Sequence, residues 1–409
     1  MLRRRILKSG MLLSFFLVSL GLFFALREKS SIDIADSRDL HRVTQKLLSI
    51  ADPTGPHLQR DNDELMPPLA GKRQVLLIVA HGRSGSTFLA DIFDKHPRVF
   101  YVFEPLHGIR GLQAKDYDEF ATNFLARIVQ CDFSVENSTR DIGRFYRFKS
   151  RALSSPPFCK YKQEDPRWNG YYCLPVKQND LEQSCKGHDK TVYKLLLERI
   201  PGQSIEKLFE VCEVAGAECK VIYLVRDIRP LVMSSQKVRF FQEVDSTTRL
   251  SMRQFVYSRC EMTERNLNLV KGFRPSFRSR ATLVRFEDLA VEPLKVLDYL
   301  YEFAGLEVLE NITNWVVKIT QPSLKDLKAG ERDPVSVVRN SLEVLNKWRL
   351  VEDPGYVHVI ERYCRDVMKL MGYIATEGSV DMLRNLEIPL FTEIYQAREW
   401  VKKMTDRQS

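Results

Sequence analysis

The spacing that a metal site needs is missing from this sequence. None of its eight cysteines lies in a Cys-x-x-Cys pair, and only seven histidines accompany them. A zinc cluster therefore has neither its ligands nor its spacing, and no metal is expected. There is no zinc-finger spacing, RNA-binding signature, basic low-complexity tail or internal repeat. The usual nucleic-acid readers are thereby excluded, and a net charge of +9 reads as a field for anionic ligands of another kind. What is present suits a globular chain. Hydrophobic residues make up 44% of 409 positions, enough for one large core or two small ones.

A lysine is missing where it would matter most. Val75 to Ala80 is a continuous apolar run, rich in β-branched residues, that predicts a strand buried on both faces. His81-Gly-Arg-Ser-Gly-Ser-Thr87 follows, then Leu89, Ile92 and Phe93 at helical spacing, then Pro97. Strand, glycine loop and helix aim backbone N–H groups at an anion. An ATP-type loop has a lysine for the γ-phosphate, but Ser86 stands there, and the cation sits earlier, at Arg83. The loop is built for a phosphate group without a γ-phosphate.

A second apolar run, Val221 to Val225, ends at Arg226, and Ser234 lies two helical turns beyond. Arginine offers a planar fork of donors for phosphate. Two strand ends with one phosphate grip each imply a ligand with two phosphate-like groups.

These stretches together resemble the sulfotransferases, specifically the Golgi carbohydrate 6-O-sulfotransferases. The resemblance rests on Arg83-Ser-Gly-Ser-Thr-Phe88 and Leu224-Val-Arg-Asp-x-Arg-x-x-x-x-Ser234. It continues in Phe103-Glu-Pro-Leu106, Arg151-Ala-Leu-Ser-Ser-Pro-Pro-x-Cys159, Val284-Arg-Phe-Glu-Asp-Leu-Ala290 and Arg339-Asn-Ser341 before Lys347-Trp-Arg349. Ile228 and Gln236 depart from the family's usual proline and arginine. The resemblance implies an α/β sulfotransferase-type P-loop fold, a central parallel sheet flanked by helices, over residues 74–373. It implies 3′-phosphoadenosine 5′-phosphosulfate (PAPS) as donor. Arg83, Ser84, Gly85, Ser86, Thr87 and Phe88 would take the 5′-phosphosulfate, and Arg226 and Ser234 the 3′-phosphate, with Arg339 and Ser341 as further donor contacts. It carries the role of general base onto Glu104, with His107 as rival, and that of a transition-state cation onto Lys194, with Arg199 second. A sugar 6-hydroxyl of galactose or N-acetylgalactosamine, in keratan or chondroitin chains, is the expected acceptor. N-acetylglucosamine, a non-catalytic glycan-binding relative and a nucleotide phosphotransferase are the alternatives. A homodimer is compatible with the sequence.

Arg3, Arg4, Arg5 and Lys8 precede the apolar run Met11 to Leu26. This order predicts a cytoplasmic tail (1–8), a signal anchor (9–26), a lumenal stem (27–73) and a Golgi type II protein, in preference to a cleaved signal peptide. Sequons at Asn137 and Asn311 and an even cysteine count agree with a lumenal, disulfide-bonded chain. Between Arg140 and Arg151, a basic cluster interleaved with Phe145, Tyr146 and Phe148 offers acceptor contacts. Strands are further expected at Val99–Phe103, around Lys194 and at Thr282–Phe286. Helices are expected at Ser37–Ile50, Leu208–Ala215, Arg249–Val270, Leu294–Ala304 and Tyr356–Met371, and at Leu390–Met404 in a C-terminal extension (374–409).

Overall fold

The computed structural model describes residues 71–109, 114–134, 142, 147–238, 249–272, 279–323, 326–327 and 337–398. The expected tail, anchor, Ser37–Ile50 helix and most of the stem lie outside these residues, as do Asn137, Arg140, Arg144, Phe145 and Tyr146. Among the described residues no helix is long and apolar enough to cross a membrane.

Five strands form one sheet: β1 (Gln74–Ala80), β2 (Val99–Phe103), β3 (Lys190–Leu196), β4 (Glu218–Val225) and β5 (Ala281–Arg285). Their order is β2-β3-β1-β4-β5, and every pairing is parallel. The helices in chain order are α1 (Ser86–Asp94), α2 (Ala114–Val129), α3 (Gln178–Lys186), α4 (Ile205–Val214), α5 (Ile228–Lys237), α6 (Arg249–Gly272) and α7 (Phe286–Val291). They continue with α8 (Pro293–Ala304), α9 (Glu310–Thr320), α10 (Ser341–Val351), α11 (Pro354–Tyr363), α12 (Arg365–Leu370) and α13 (Val380–Arg384).

The strands are continuous apolar runs because both faces are covered. Val75, Leu77 and Val79 of β1 join Leu125 of α2, Leu208 of α4 and Leu267 of α6 in one core. Leu76 and Ile78 join Leu89 and Phe93 of α1, Leu300 of α8 and Val316 of α9 in the other. Each such fully buried side chain contributes about 1.5–3 kcal/mol. Parallel pairing runs every strand the same way, and register brings their ends level. Ala80 is level with Leu196 and Leu224, Phe103 with Lys194, and Val225 with Arg285. The chain therefore leaves all five strands along one rim, where open α/β sheets bind their ligands.

All eight cysteines are paired, as Cys131–Cys185, Cys159–Cys173, Cys212–Cys219 and Cys260–Cys364. Two expectations need correction. The helix expected over Tyr356–Met371 is two helices, α11 and α12, parted at Cys364, which is tied to Cys260 in α6. The helix expected from Leu390 does not begin there. Phe391 pairs with Tyr373 in an isolated bridge, and the Leu390 carbonyl accepts from the Ile374 N–H.

Candidate functional site

The loop between β1 and α1 is held open by two left-handed residues, Arg83 (φ 71°) and Gly85 (φ 85°). Glycine takes this conformation freely; arginine does so at a cost of about 1–3 kcal/mol, which marks a position that the surroundings enforce. A Cβ on Gly85 would lie 2.4 Å from the Phe286 ring, so the loop also needs glycine for its close approach to the end of β5. Ser84 and Ser86 are buried, and the Ser84 hydroxyl has no hydrogen-bond partner among the described residues. Thr87 and Phe88 are half-buried in the first turn of α1, and Phe88 packs on the core beneath that helix.

The two phosphate motifs meet. Arg83 Nε donates to Ser234 Oγ of α5 at 3.0 Å, and Arg226 Nη1 donates to the Arg83 carbonyl at 2.9 Å. Arg226 also lies over the Phe286 ring, 4.4 Å from its centroid, and its Nε is buried and unpartnered among the described residues. Burial, and then the charge of Arg339, lowers the Arg83 pKa; burial lowers that of Arg226 against the opposing charges of Glu287 and Asp227. Arg339 thus contributes to the same field. Ser341, at the start of α10, spends its hydroxyl on the Ala290 carbonyl at 2.8 Å. Three arginines, two of them hydrogen-bonded only to neutral groups, make a strongly anion-selective rim.

Glu104 stands at the end of β2 in the left-handed region (φ 44°). Its N–H donates to the Lys194 carbonyl at 3.0 Å, as the register of β2 on β3 requires. Its carboxylate is gripped on both sides, with Lys194 Nζ on Oε1 and Arg199 Nη1 on Oε2 at 2.6 Å. The Glu104 side chain is only 11% exposed and that of Lys194 only 4%. Burial opposes the Glu104 charge, but the two cations outweigh it and hold its pKa below the usual carboxylate range. Burial lowers the Lys194 pKa, with Glu104 working the other way. The rival base His107 is half-buried one turn past Glu104, and its N–H donates to the Glu104 carbonyl at 2.9 Å.

Sequence reasoning missed Glu198. Its Oε1 accepts from His81 Nδ1 at 3.0 Å, from the Gly82 N–H at 3.3 Å and from Arg259 Nε at 3.2 Å. The only local signal was its place beside Arg199 at a strand end. Arg229 of the second motif faces away from the rim and is wholly buried. It pairs with Asp227 at 2.7 Å and Glu361 at 2.8 Å, and donates to the Ile374 carbonyl at 2.9 Å. Of the basic cluster, Arg147 is committed to the Leu153 and Phe158 carbonyls and Arg151 to Asp94, so these two serve as struts. Asn311 is exposed on α9.

A family model described as sulfotransferase domain matches residues 73–372. Carbohydrate sulfotransferase 3 of Mus musculus is 28% identical over 356 residues, which cover 79% of this chain and 73% of that protein. Carbohydrate sulfotransferase 6 of Homo sapiens is 27% identical over 350 residues, covering 79% and 86%. The crystal structure of a mouse sulfotransferase complexed with PAP aligns with 83% of this chain and 90% of its own, at 10% identity and a TM-score of 0.39, a loose likeness.

Proposed function

The chain belongs to the sulfotransferase domain family, and on that premise we propose that it sulfates the 6-hydroxyl of galactose or N-acetylgalactosamine in a keratan- or chondroitin-type glycan. Its similarity to carbohydrate sulfotransferases supports a sugar acceptor. The observation that carries the mechanism is the gripped carboxylate of Glu104 on the same rim as the arginine-lined loop. The residues present fit PAPS. Ser84 Oγ and Arg226 Nε are buried donors without partners among the described residues, and Arg83 and Arg226 bond neutral groups that a phosphate would replace.

PAPS supplies an activated sulfuryl group and leaves as adenosine 3′,5′-bisphosphate. The loop from Arg83 to Phe88 would hold the 5′-phosphosulfate and Arg226 and Ser234 the 3′-phosphate, with Arg339 as a further donor contact and Ser341 steadying the α10 start through the Ala290 carbonyl. Glu104 takes the proton of the attacking hydroxyl. A carboxylate gripped by two cations is a weak base, so Lys194 has a second duty. It turns from Glu104 to the negative charge that develops on the sulfuryl oxygens, and Glu104 gains basicity as it does so.

The test is transfer of labelled sulfate from PAPS to desulfated keratan, chondroitin and N-acetylglucosamine-terminated acceptors. Glu104→Gln is expected to lower kcat by about 10²–10⁴-fold while binding of adenosine 3′,5′-bisphosphate persists. Transfer to the N-acetylglucosamine acceptor alone replaces the galactose reading; an active Glu104→Gln removes Glu104 as base. We further propose a type II Golgi protein anchored by residues 9–26, which the basic residues ahead of the apolar run support. Resistance of Asn311 to N-glycan attachment, with the N-terminus lumenal, would overturn that orientation.

A further inference from the structure

Two halves of the site, the donor loop and the gripped carboxylate, are joined by a single dipeptide at the end of β3. Leu197–Arg199 form one short turn there. Arg199 reaches Glu104, and its carbonyl accepts from Tyr117 Oη of α2 at 2.7 Å. Glu198 points the other way and takes the first two residues of the donor loop, His81 through its ring and Gly82 through its backbone. His81 is buried, and its other nitrogen meets Thr263 Oγ1 of α6 at 2.9 Å. Arg259, one turn earlier in α6, closes the network on the same Glu198 oxygen. All three contacts thus fall on Oε1, and Oε2 is buried and unpartnered among the described residues.

This arrangement is more than a stabilising ion pair. A buried carboxylate that used both oxygens would be better satisfied, and removing it would leave the Gly82 N–H without the side-chain acceptor that ties the loop to the end of β3. What Glu198 provides is register. The loop that aligns the sulfuryl group and the residue that orients the base hang from neighbouring Cα atoms, so they cannot shift independently. We propose that Glu198 is a positioning residue, which sets the donor loop against Glu104 through Arg199 and so fixes the line of attack at sulfur. It touches neither substrate nor base. Burial opposes its charge, but His81 and Arg259 outweigh that and hold it ionised, with a pKa lowered to about 2, so the link persists across the whole range in which such an enzyme works. The inference rests on the sulfuryl-transfer reading above and adds a residue to it.

The experiment compares Glu198→Leu, Arg199→Lys, Arg259→Gln and Glu198→Leu/Arg199→Lys in the whole protein, reading kcat, adenosine 3′,5′-bisphosphate affinity and Tm, with Glu198→Gln, which keeps an acceptor oxygen for His81 and Gly82, as the conservative rescue. Small misplacement in a reacting complex costs on the order of 10²-fold. Glu198→Leu is therefore expected to lower kcat about that much, with bisphosphate affinity changed by less than about threefold, because the phosphate-gripping arginines stay in place. Glu198→Gln is expected to recover most of that loss. Arg259→Gln, which leaves the bonds to His81 and Gly82, controls for loss of the charge pair and is expected to lower kcat far less than Glu198→Leu. In the double variant the kcat losses are expected to be far less than the product of those of Glu198→Leu and Arg199→Lys, since both changes break one link. Losses of kcat that follow Tm equally in Glu198→Leu and Arg259→Gln would reduce Glu198 to a structural ion pair. Multiplicative losses would sever it from Glu104. A parent without transfer to any acceptor overturns the function reading, whereas an active parent with an unimpaired Glu198→Leu overturns this inference alone.

Discussion

Arg226 and Arg229 stand three residues apart after the same strand and have opposite surroundings. Arg226 faces the rim, with a carbonyl and an aromatic ring for company, one unpartnered nitrogen, and a pKa lowered chiefly by burial. Arg229 faces inward, with two carboxylates, two carbonyls and the Trp348 ring around it. Burial alone would lower its pKa too, but Asp227 and Glu361 raise it above the usual value. The contrast extends to two regions. The rim gathers Arg83, Arg226 and Arg339 around unfilled donors. Behind it, Arg229, Arg285 and Arg349 are all wholly buried, and all hold the segment from Met371 onward. Arg285 donates to the Met371 carbonyl and lies under Tyr395; Arg349 holds the carbonyls of Met382, Leu383, Asn385 and Ile388. A buried arginine whose donors are filled is architecture, and one whose donors are empty is a binding site.

The comparison breaks if the two classes respond alike to truncation. The largest expected effect is on stability. Arg229→Ala leaves Asp227 and Glu361 buried without their cation and is expected to cost about 3–5 kcal/mol in urea unfolding. Next comes Arg226→Ala, which is expected to leave the unfolding midpoint near the parent's but to weaken adenosine 3′,5′-bisphosphate binding by about 1.5–3 kcal/mol in calorimetry. Equal losses of stability in the two variants would erase the distinction between them. The smallest effect separates the carboxylates of the two regions by pH. Burial, reinforced by Asp227, pushes Glu287 up to about 7, and Tyr373 Oη donates to it at 2.8 Å. A folded pKa above the unfolded one gives stability that is present at low pH and lost as pH rises through about 7, so Tm is expected to fall between pH 5 and 8 and to fall less in Glu287→Gln. Glu104, held the other way against burial by Lys194 and Arg199, stays ionised over that range, so the acid limb of kcat/KM, which reports the free enzyme, is expected below the ordinary carboxylate range. A limb near neutrality would transfer the base role to another group.

The division between rim and clamp also tracks what the sequence discloses. Strand ends, the glycine loop and Glu104 are local features, carried by apolar runs and turn residues within a few positions, and the structure puts them on one rim. Glu198, and the inward part played by Arg229 of the quoted motif, were invisible because their partners lie far along the chain, at His81 and Glu361. The same distance explains the helix misplaced at Leu390. Leu390, Ile394 and Ala397 have helical spacing, but the Leu390 carbonyl is taken by Ile374 and Arg229, a competition that periodicity does not register.

The segment from Ile374 to Arg398 lies beyond the span matched by the family, yet it supplies carbonyl ligands to Arg229 and Arg349 and covers Arg285 with the Tyr395 ring. Protein synthesis runs in the other direction from this dependence. The sheet, both phosphate grips and Glu104 emerge from the ribosome well before Leu390 exists, at about 5–20 residues per second. Until the residues from Ile374 to Leu390 follow, Arg229 and Arg349 have carbonyl ligands missing, and closing the core over them is opposed by their desolvation. A chain cut short before residue 374 would keep the sheet, the arginine-lined loop and Glu104 but lack the carbonyls that close the core over Arg229 and Arg349.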